Sequence, residues 1–488
     1  MQLKKVCLPS VMAGILLGIA ACGDRAEPGV VQSDVVLKNQ SVTPVLAKLM
    51  PGFENVDLFS LISSDDTLKQ SPSYVFGGSA DGEGLLKNTD GTYTMLVNHE
   101  DNFSVSRLIL DKTFKPVKGE YLLNSDGSQW RLCSATMVTP EVQGFGPTFL
   151  TSGESGEESR IHALNPYADV STASTSKEVA GLGRWSSENA VPLPQLAFPG
   201  KTVIIIGEDN SDVTGGQVAM YVSNTVGDLE NGTLYMLKRT DGNQKEMDMK
   251  VGTKYPVEFV KIENHKTLTG NQINGRVNEL QALKFGRVED VDFRKGNKAT
   301  NAREVFFTVT GQGIGGPNAD YSRSMYGRIY RITLDAADPT KGALEVMLDG
   351  DDRNGVAKTF QDPDNITVTE NYAYIQEDPN GYGNETHDAY LYQFNLNTGE
   401  LKPVFMIDHR RNEADAAKYN VGAPSRIGGW EISGMIDVSD VIGVPNTFTV
   451  GLQAHTWVGN RYRGVDGGSK RAGENQASQI IVIKGLPR

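Results

Sequence analysis

An apolar strand that runs straight into polar, ligand-bearing residues recurs six times along this chain, and few folds accommodate such a pattern. It occurs at Val97-Asn98-His99-Glu100-Asp101, Leu150-Thr151-Ser152-Gly153-Glu154, Ile206-Gly207-Glu208-Asp209, Phe306-Phe307-Thr308-Val309-Thr310, Ile375-Gln376-Glu377-Asp378 and Leu452-Gln453-Ala454-His455. The marks lie about 50 to 100 residues apart, too uneven for a short solenoid repeat but suited to propeller blades carrying insertions. Further short β-rich runs lie between them, as at Gln217–Val222, Thr233–Leu237, Arg328–Leu334 and Gln479–Ile483. Asp-Gly and Asn-Gly turns such as Asp126-Gly127, Asp241-Gly242 and Asn380-Gly381 punctuate the chain. No amphipathic pattern of three helical turns stands out. The expectation is an all-β fold, a six-bladed β-propeller with inter-blade insertions. If the six marked strands are the innermost of their blades, their polar ends meet at one mouth of the central channel. The polar stretch Glu263 to Asn278 reads as one insertion with no assignable role.

The N-terminus reads as an address. Lys4 and Lys5 precede an apolar run from Val11 to Ala21, which ends at Ile19-Ala20-Ala21-Cys22. A basic start, a short apolar stretch and small residues before a Cys describe a secretory signal with a lipobox, in which Cys22 receives lipid. The run is too short to span a bilayer, which takes about 18 or more apolar residues. The chain then divides into a lipoprotein signal over 1–21, a tether over 22–48 and a single propeller domain over 49–488. Export to a bacterial periplasm or cell surface, membrane attachment through the lipid, and a monomer are expected.

With Cys7 removed and Cys22 lipidated, Cys133 is the sole thiol of the folded domain, so no internal disulfide can form. A lone thiol is either a buried apolar residue or a metal ligand or nucleophile. Acids outnumber bases by 60 to 47, and no Lys/Arg cluster answers to a nucleic-acid backbone, which excludes that partner. An acidic excess suits cations where carboxylates converge. Four segments carry candidate ligands. Cys133-Ser134-Ala135-Thr136 is followed 21 residues on by Glu154. Gly183-Arg184-Trp185-Ser186-Ser187-Glu188 and Gly286-Arg287-Val288-Glu289-Asp290 each place an Arg near a Glu, and Asp362-Pro363-Asp364-Asn365 is the fourth. A thiolate favours softer or redox metals and carboxylates favour calcium or ferric iron, while an Arg fork matches phosphate oxygens in pairs.

In this order the motifs resemble the PhoX-type alkaline phosphatases, over roughly Gly77 to Trp457. Cys133, Thr139-Pro140, Gly146-Pro147-Thr148 and Thr151-Ser152-Gly153-Glu154 are similar to that family's Cys-Ala-Gly-Gly, Thr-Pro, Gly-Thr-Trp and Thr-Cys-Glu-Glu segments. Gly183–Glu188 resembles Gly-Arg-Phe-x-His-Glu, and Arg287-Val288-Glu289 resembles Arg-Pro-Glu. Pro363-Asp364-Asn365, Trp430-Glu431-x-Ser433-Gly434, Gln453 and Asn98-His99-Glu100 also match. The resemblance implies a secreted six-bladed propeller that hydrolyses phosphate monoesters with ferric iron (Fe3+) and calcium (Ca2+) around a bridging oxo group. It implies that Cys133, Glu154, Glu188 and Glu289 hold metal and that Arg287 acts on phosphate. Glu208, Asp209, Asp364, Asn365 and Glu431 are further calcium candidates. Gly153, Ser187 and Val288 depart from the family pattern, and a lipobox stands where a twin-arginine signal is usual. Two other readings stay open: a calcium-dependent propeller hydrolase such as a lactonase or phytase-like enzyme, and a non-enzymatic binding propeller stiffened by calcium.

Overall fold

The structure, a computed structural model, describes residues 33–312, 320–379, 385–421 and 426–488. Its folded unit spans Asp34–Arg488. Among the described residues no helix exceeds five residues, and none is long and apolar enough to cross a membrane. Cys22 lies outside the described residues.

Five antiparallel sheets form a propeller-like arrangement of four small blades and one nine-stranded sheet. One blade runs Ala80–Lys87, Tyr93–His99, Ser104–Leu110, Pro116–Leu123, and the next Arg131–Val138, Thr148–Glu154, Ile161–Leu164. The nine-stranded sheet holds two meanders. The first is Ser187–Pro192, Thr202–Glu208, Gln217–Ser223, Thr233–Arg239, and the second is Val288–Phe293, Glu304–Val309, Arg328–Leu334, Lys341–Asp349. Strand Lys254–Lys261 pairs with the outermost strand of both and welds them. A further blade orders Pro363–Val368, Tyr372–Glu377, Tyr390–Asn395, Leu401–Ile407, and Ala47–Leu49 is added at its rim. The last orders Glu431–Asp437, Thr447–Val458, Gln476–Lys484 and then Asp57–Ser63, so a strand from each end of the domain closes one sheet.

Two expectations need correction. The segment up to Lys48 is not all tether: Leu46 is fully buried with Val404 and Phe405, and Ala47 pairs with Ile407. Asn365–Ile375, a β-rich run whose sequence predicts one strand, is two strands turning at Thr369–Asn371, where Tyr372 N donates to Thr369 Oγ1.

The strands that line the centre are also not the ones marked by their apolar runs. Those are second strands. Ala80–Lys87, Arg131–Val138, Ser187–Pro192, Val288–Phe293, Pro363–Val368 and Glu431–Asp437 contact one another in cyclic order. Each pairs with its marked neighbour through the same irregularity. Three residues of the inner strand oppose two of the second, as in Ala80↔His99 followed by Glu83↔Val97. The step recurs at Leu132/Ala135, Ser187/Ala190, Val288/Val291, Pro363/Ile366 and Ile432/Met435. A bulge adds one residue, bends its strand and re-aims the side chains there. The residues inside the six bulges are Asp81-Gly82, Cys133-Ser134, Glu188-Asn189, Glu289-Asp290, Asp364-Asn365 and Ser433-Gly434. Gly82 is required by crowding: a Cβ there would meet Ala135 N at 2.3 Å.

Candidate metal centre

Five of the six bulges present a carboxylate or thiol as their first residue, and these side chains converge. Asp81, Cys133 and Glu188 bring ligand atoms within 4.8 Å of one another, as do Glu188, Glu289 and Asp364. The second-strand ends add Glu100 and Glu154 beside Cys133, while Glu431 joins Asp81 and Glu100 on one side and Asp378 and His455 on the other. The structure therefore brings together Cys133, Glu154, Glu188, Glu289, Asp364 and Glu431. It also supplies Asp81, Glu100, Asp378 and His455, which motif reading did not select as ligands. Asp81 follows Ser79-Ala80 in a Gly-rich stretch with no strand signal; its register two residues before Glu83 is visible only in the fold.

Short hydrogen bonds fix the geometry. Cys133 Sγ donates to Glu154 Oε2 at 2.9 Å. Glu188 Oε1 accepts from Ser134 N and Ser134 Oγ at 3.1 and 3.0 Å, and Asn365 Nδ2 donates to Ser134 Oγ at 2.6 Å. Asn365 thus orients a ligand's neighbour, and its buried Oδ1 has no hydrogen-bond partner among the described residues. Asn98 donates to Cys133 O and is itself held by Thr151 Oγ1 at 3.0 Å. Gln453 Nε2 reaches Glu431 Oε1 at 3.0 Å and Asp81 Oδ2 at 3.3 Å.

Eight carboxylates, a thiol and an imidazole share this mouth, and two guanidiniums answer them. Arg131 pairs with Glu100 at 2.5 Å. Arg287, in the left-handed region at φ 70°, grips Asp209 through Nε (2.8 Å) and Nη2 (2.9 Å) and meets Glu289 at 3.1 Å. Asp290 accepts from Asn189 Nδ2 (2.6 Å) and Ile366 N (3.0 Å). Burial, with like charges adding to it, pushes Asp81, Cys133, Glu188, Glu289, Asp364 and Glu431 well above their usual values, and Glu154 to about 8. Burial would raise Glu100 as well, but Arg131 and His455 outweigh it and hold it low. So many dry acids are stable only if protonated or bound to cations. The donor set fits the implied metals. Cys133 among carboxylates suits iron, and the thiol-free group of Asp378, Glu431 and His455, with Asp81 and Glu100 beside it, suits harder ions through its oxygens.

Three expected residues fall elsewhere. Asp209 is gripped by Arg287, and Glu208 is buried outside the ligand groups with neither oxygen hydrogen-bonded among the described residues. Arg184 pairs with Glu158 at 2.5 Å, outside the cluster. His99 is no substrate residue: it is fully buried, bonded to Ser106 Oγ at 2.8 Å and packed edge-on against Phe76. His162, His265 and His409 are buried too.

No family model matches the chain, and no curated protein matches its sequence. Among solved structures it is similar to PhoX of Pseudomonas fluorescens in complex with vanadate, a transition state analogue. The TM-score is 0.57 at 16% identity, over 90% of this chain and 96% of that one. An α-L-arabinofuranosidase of Fusarium graminearum aligns at TM-score 0.39 and 12% identity, over 88% of this chain and 98% of that one. A PQQ-bound aldose sugar dehydrogenase of Streptomyces coelicolor aligns at 0.34 and 10%, with the same coverage. Neither of these bears on the site. The first match is a likeness of fold over nearly the whole of both chains: this protein is all-β, propeller-like, and PhoX-like in fold.

Proposed function

We propose that this chain is a metal-dependent hydrolase of phosphate monoesters, built on six blades of which two share the strand Lys254–Lys261. The observation that carries it is the convergence of five bulge residues, Asp81, Cys133, Glu188, Glu289 and Asp364, on one buried acidic mouth with Arg287 at its edge. Cys133, Glu154, Glu188 and Glu289 would hold ferric iron, and Asp81, Glu100, Asp364, Asn365 and Glu431 would offer oxygens to calcium. Ions bound there supply Lewis-acid polarisation of the phosphoryl group and neutralise charge that develops on its oxygens.

The chain's own residues do the rest. Asp209 pins the guanidinium of Arg287 in one plane, so that phosphate oxygens meet donors already oriented. Asn98, Ser134 and Gln453 hold Cys133, Glu188 and Glu431 in place. The Cys133 thiol and Glu154 share a proton that leaves when the site is charged with metal. A calcium-only hydrolase draws support from the thiol-free cluster of Asp378, Glu431 and His455, but it gives Cys133 no task. Export and lipid attachment at Cys22 belong to the same reading.

The test is hydrolysis of p-nitrophenyl phosphate by the purified mature protein before and after chelation. Activity should vanish on chelation and return with iron and calcium together. Turnover indifferent to chelators, or metal-loaded protein inactive on phosphate monoesters, would overturn the proposal.

A further inference from the structure

Away from the acidic mouth, three buried polar side chains crown an apolar cluster. Glu208 and Gln217 are direct cross-strand partners, so they project from the same face of their sheet. Two residues further along each strand on that face, Ile206 and Ala219 are buried beside Ile273 of the insertion. Asn274 follows Ile273 at the end of the short helix Gly270–Asn274, whose start is fixed by a capping box between Thr269 and Gln272. The exposures of Glu208, Gln217 and Asn274 are 1%, 1% and 4%.

Their polar atoms are unanswered. Both Glu208 oxygens, Gln217 Oε1 and both side-chain atoms of Asn274 lack a hydrogen bond among the described residues. Gln217 Nε2 is already committed to the carbonyls of Thr214 and Gly215, which leaves its oxygen as the unmet atom on the face it shares with Glu208. Leaving this many buried oxygens unmet is costly, and more so for a charge. Among the described residues no ion pair reaches Glu208. Burial pushes its carboxyl well above the usual range; the nearby Asn274 amide pulls the other way, and the acids Asp212, Asp209 and Glu157 add to the rise. A carboxylate joined by two amide oxygens, with no thiol or imidazole, is a donor set for a hard cation.

We propose that Glu208, Gln217 and Asn274 form a separate calcium-type cation site that fastens the 263–280 insertion to the sheet. None of these three residues is among the ligand groups of the acidic mouth, and the site gives the insertion a task. The cation draws Asn274 down onto Glu208. In doing so it seats Ile273 and Val277 in the apolar cluster and buttresses Asp209, the residue that orients Arg287.

The experiment follows hydrogen exchange in peptides from 263–280 of the chelated mature protein, with and without calcium chloride, together with bound calcium per chain. At calcium tenfold above its Kd, exchange in the wild type should slow about tenfold. Glu208→Gln should abolish that response and bind one calcium fewer. If that variant fails to fold, Asn274→Ala, which keeps the carboxylate, should raise the calcium needed for protection roughly tenfold or more. An unchanged calcium count in Glu208→Gln, an unchanged calcium requirement in Asn274→Ala, or wild-type exchange that answers to pH but not to calcium would overturn the site. The last result would mark Glu208 as a protonated acid in a dry pocket.

Discussion

Replacing Glu83 by Gln should change how the protein's stability depends on pH. Glu83 lies between the sheet of Ala80–Lys87 and that of Thr447–Val458, with 1% of its surface exposed. One oxygen accepts from Thr449 Oγ1, and the other has no hydrogen-bond partner among the described residues. Burial raises its pKa from 4.5 to about 8, with the Thr449 bond pulling the other way. The folded chain therefore keeps a proton that the unfolded chain has lost between those values. Its contribution is fully present below about pH 4.5 and is lost as pH rises through 8. At about 1.4 kcal/mol per pH unit the span comes to about 5 kcal/mol, of which about 2 is gone by pH 6. That is a large share of a stability typically about 5–15 kcal/mol. Gln keeps the shape and an acceptor for Thr449 but has nothing to ionise. In urea unfolding at equal metal loading, its advantage over the wild type should grow by about 2–3 kcal/mol between pH 6 and pH 9. Parallel curves for the two proteins would refute the claim that Glu83 is dry and neutral in the folded state.

Arg287→Lys keeps the charge but loses the two-point geometry, so kcat on a phosphate monoester should fall on the order of 10²-fold with little change in unfolding midpoint. Asp209→Asn should lower kcat less, about tenfold, because the guanidinium stays but loses its charged anchor. Cys22→Ser should move the protein from the membrane to the soluble fraction; fractionation identical to the wild type would remove the lipid anchor.

The second strands were legible and the inner strands were not, for a physical reason. Second strands such as Thr202–Glu208 are buried on both faces and read as apolar runs of Val and Ile. Inner strands such as Ser187–Pro192, Val288–Phe293 and Pro363–Val368 carry the converging acids and amides, so their sequences SENAVP, VEDVDF and PDNITV lack the β-branched alternation that marks a strand. They stand out as motifs, and of these three only Pro363–Val368 overlaps a run that reads as strand. Cys133, Glu154, Glu188 and Glu289 were found because each sits in a distinctive string. Asp81 is not legible as a ligand because only the ring of bulges, a relation between distant registers, brings it to the mouth; Glu100 lies in a strand-end mark expected there, but no motif singles it out. Glu208 was misplaced for the converse reason. It follows a strand just as Glu154 does, but the face it projects from depends on pairing with Gln217. The weld through Lys254–Lys261 rests on pairings between residues 80 or more positions apart, which no local pattern encodes.

In the function proposed above, the bulged inner strands would hold iron through Cys133 and calcium through the carboxylates around it. Elemental analysis of the purified mature protein, run beside Cys133→Ala, tests it most directly. The account predicts iron and calcium together in the wild type, with iron lost and most calcium kept in the variant. Iron unchanged by removal of the thiol, or a folded wild type carrying neither metal, would contradict it.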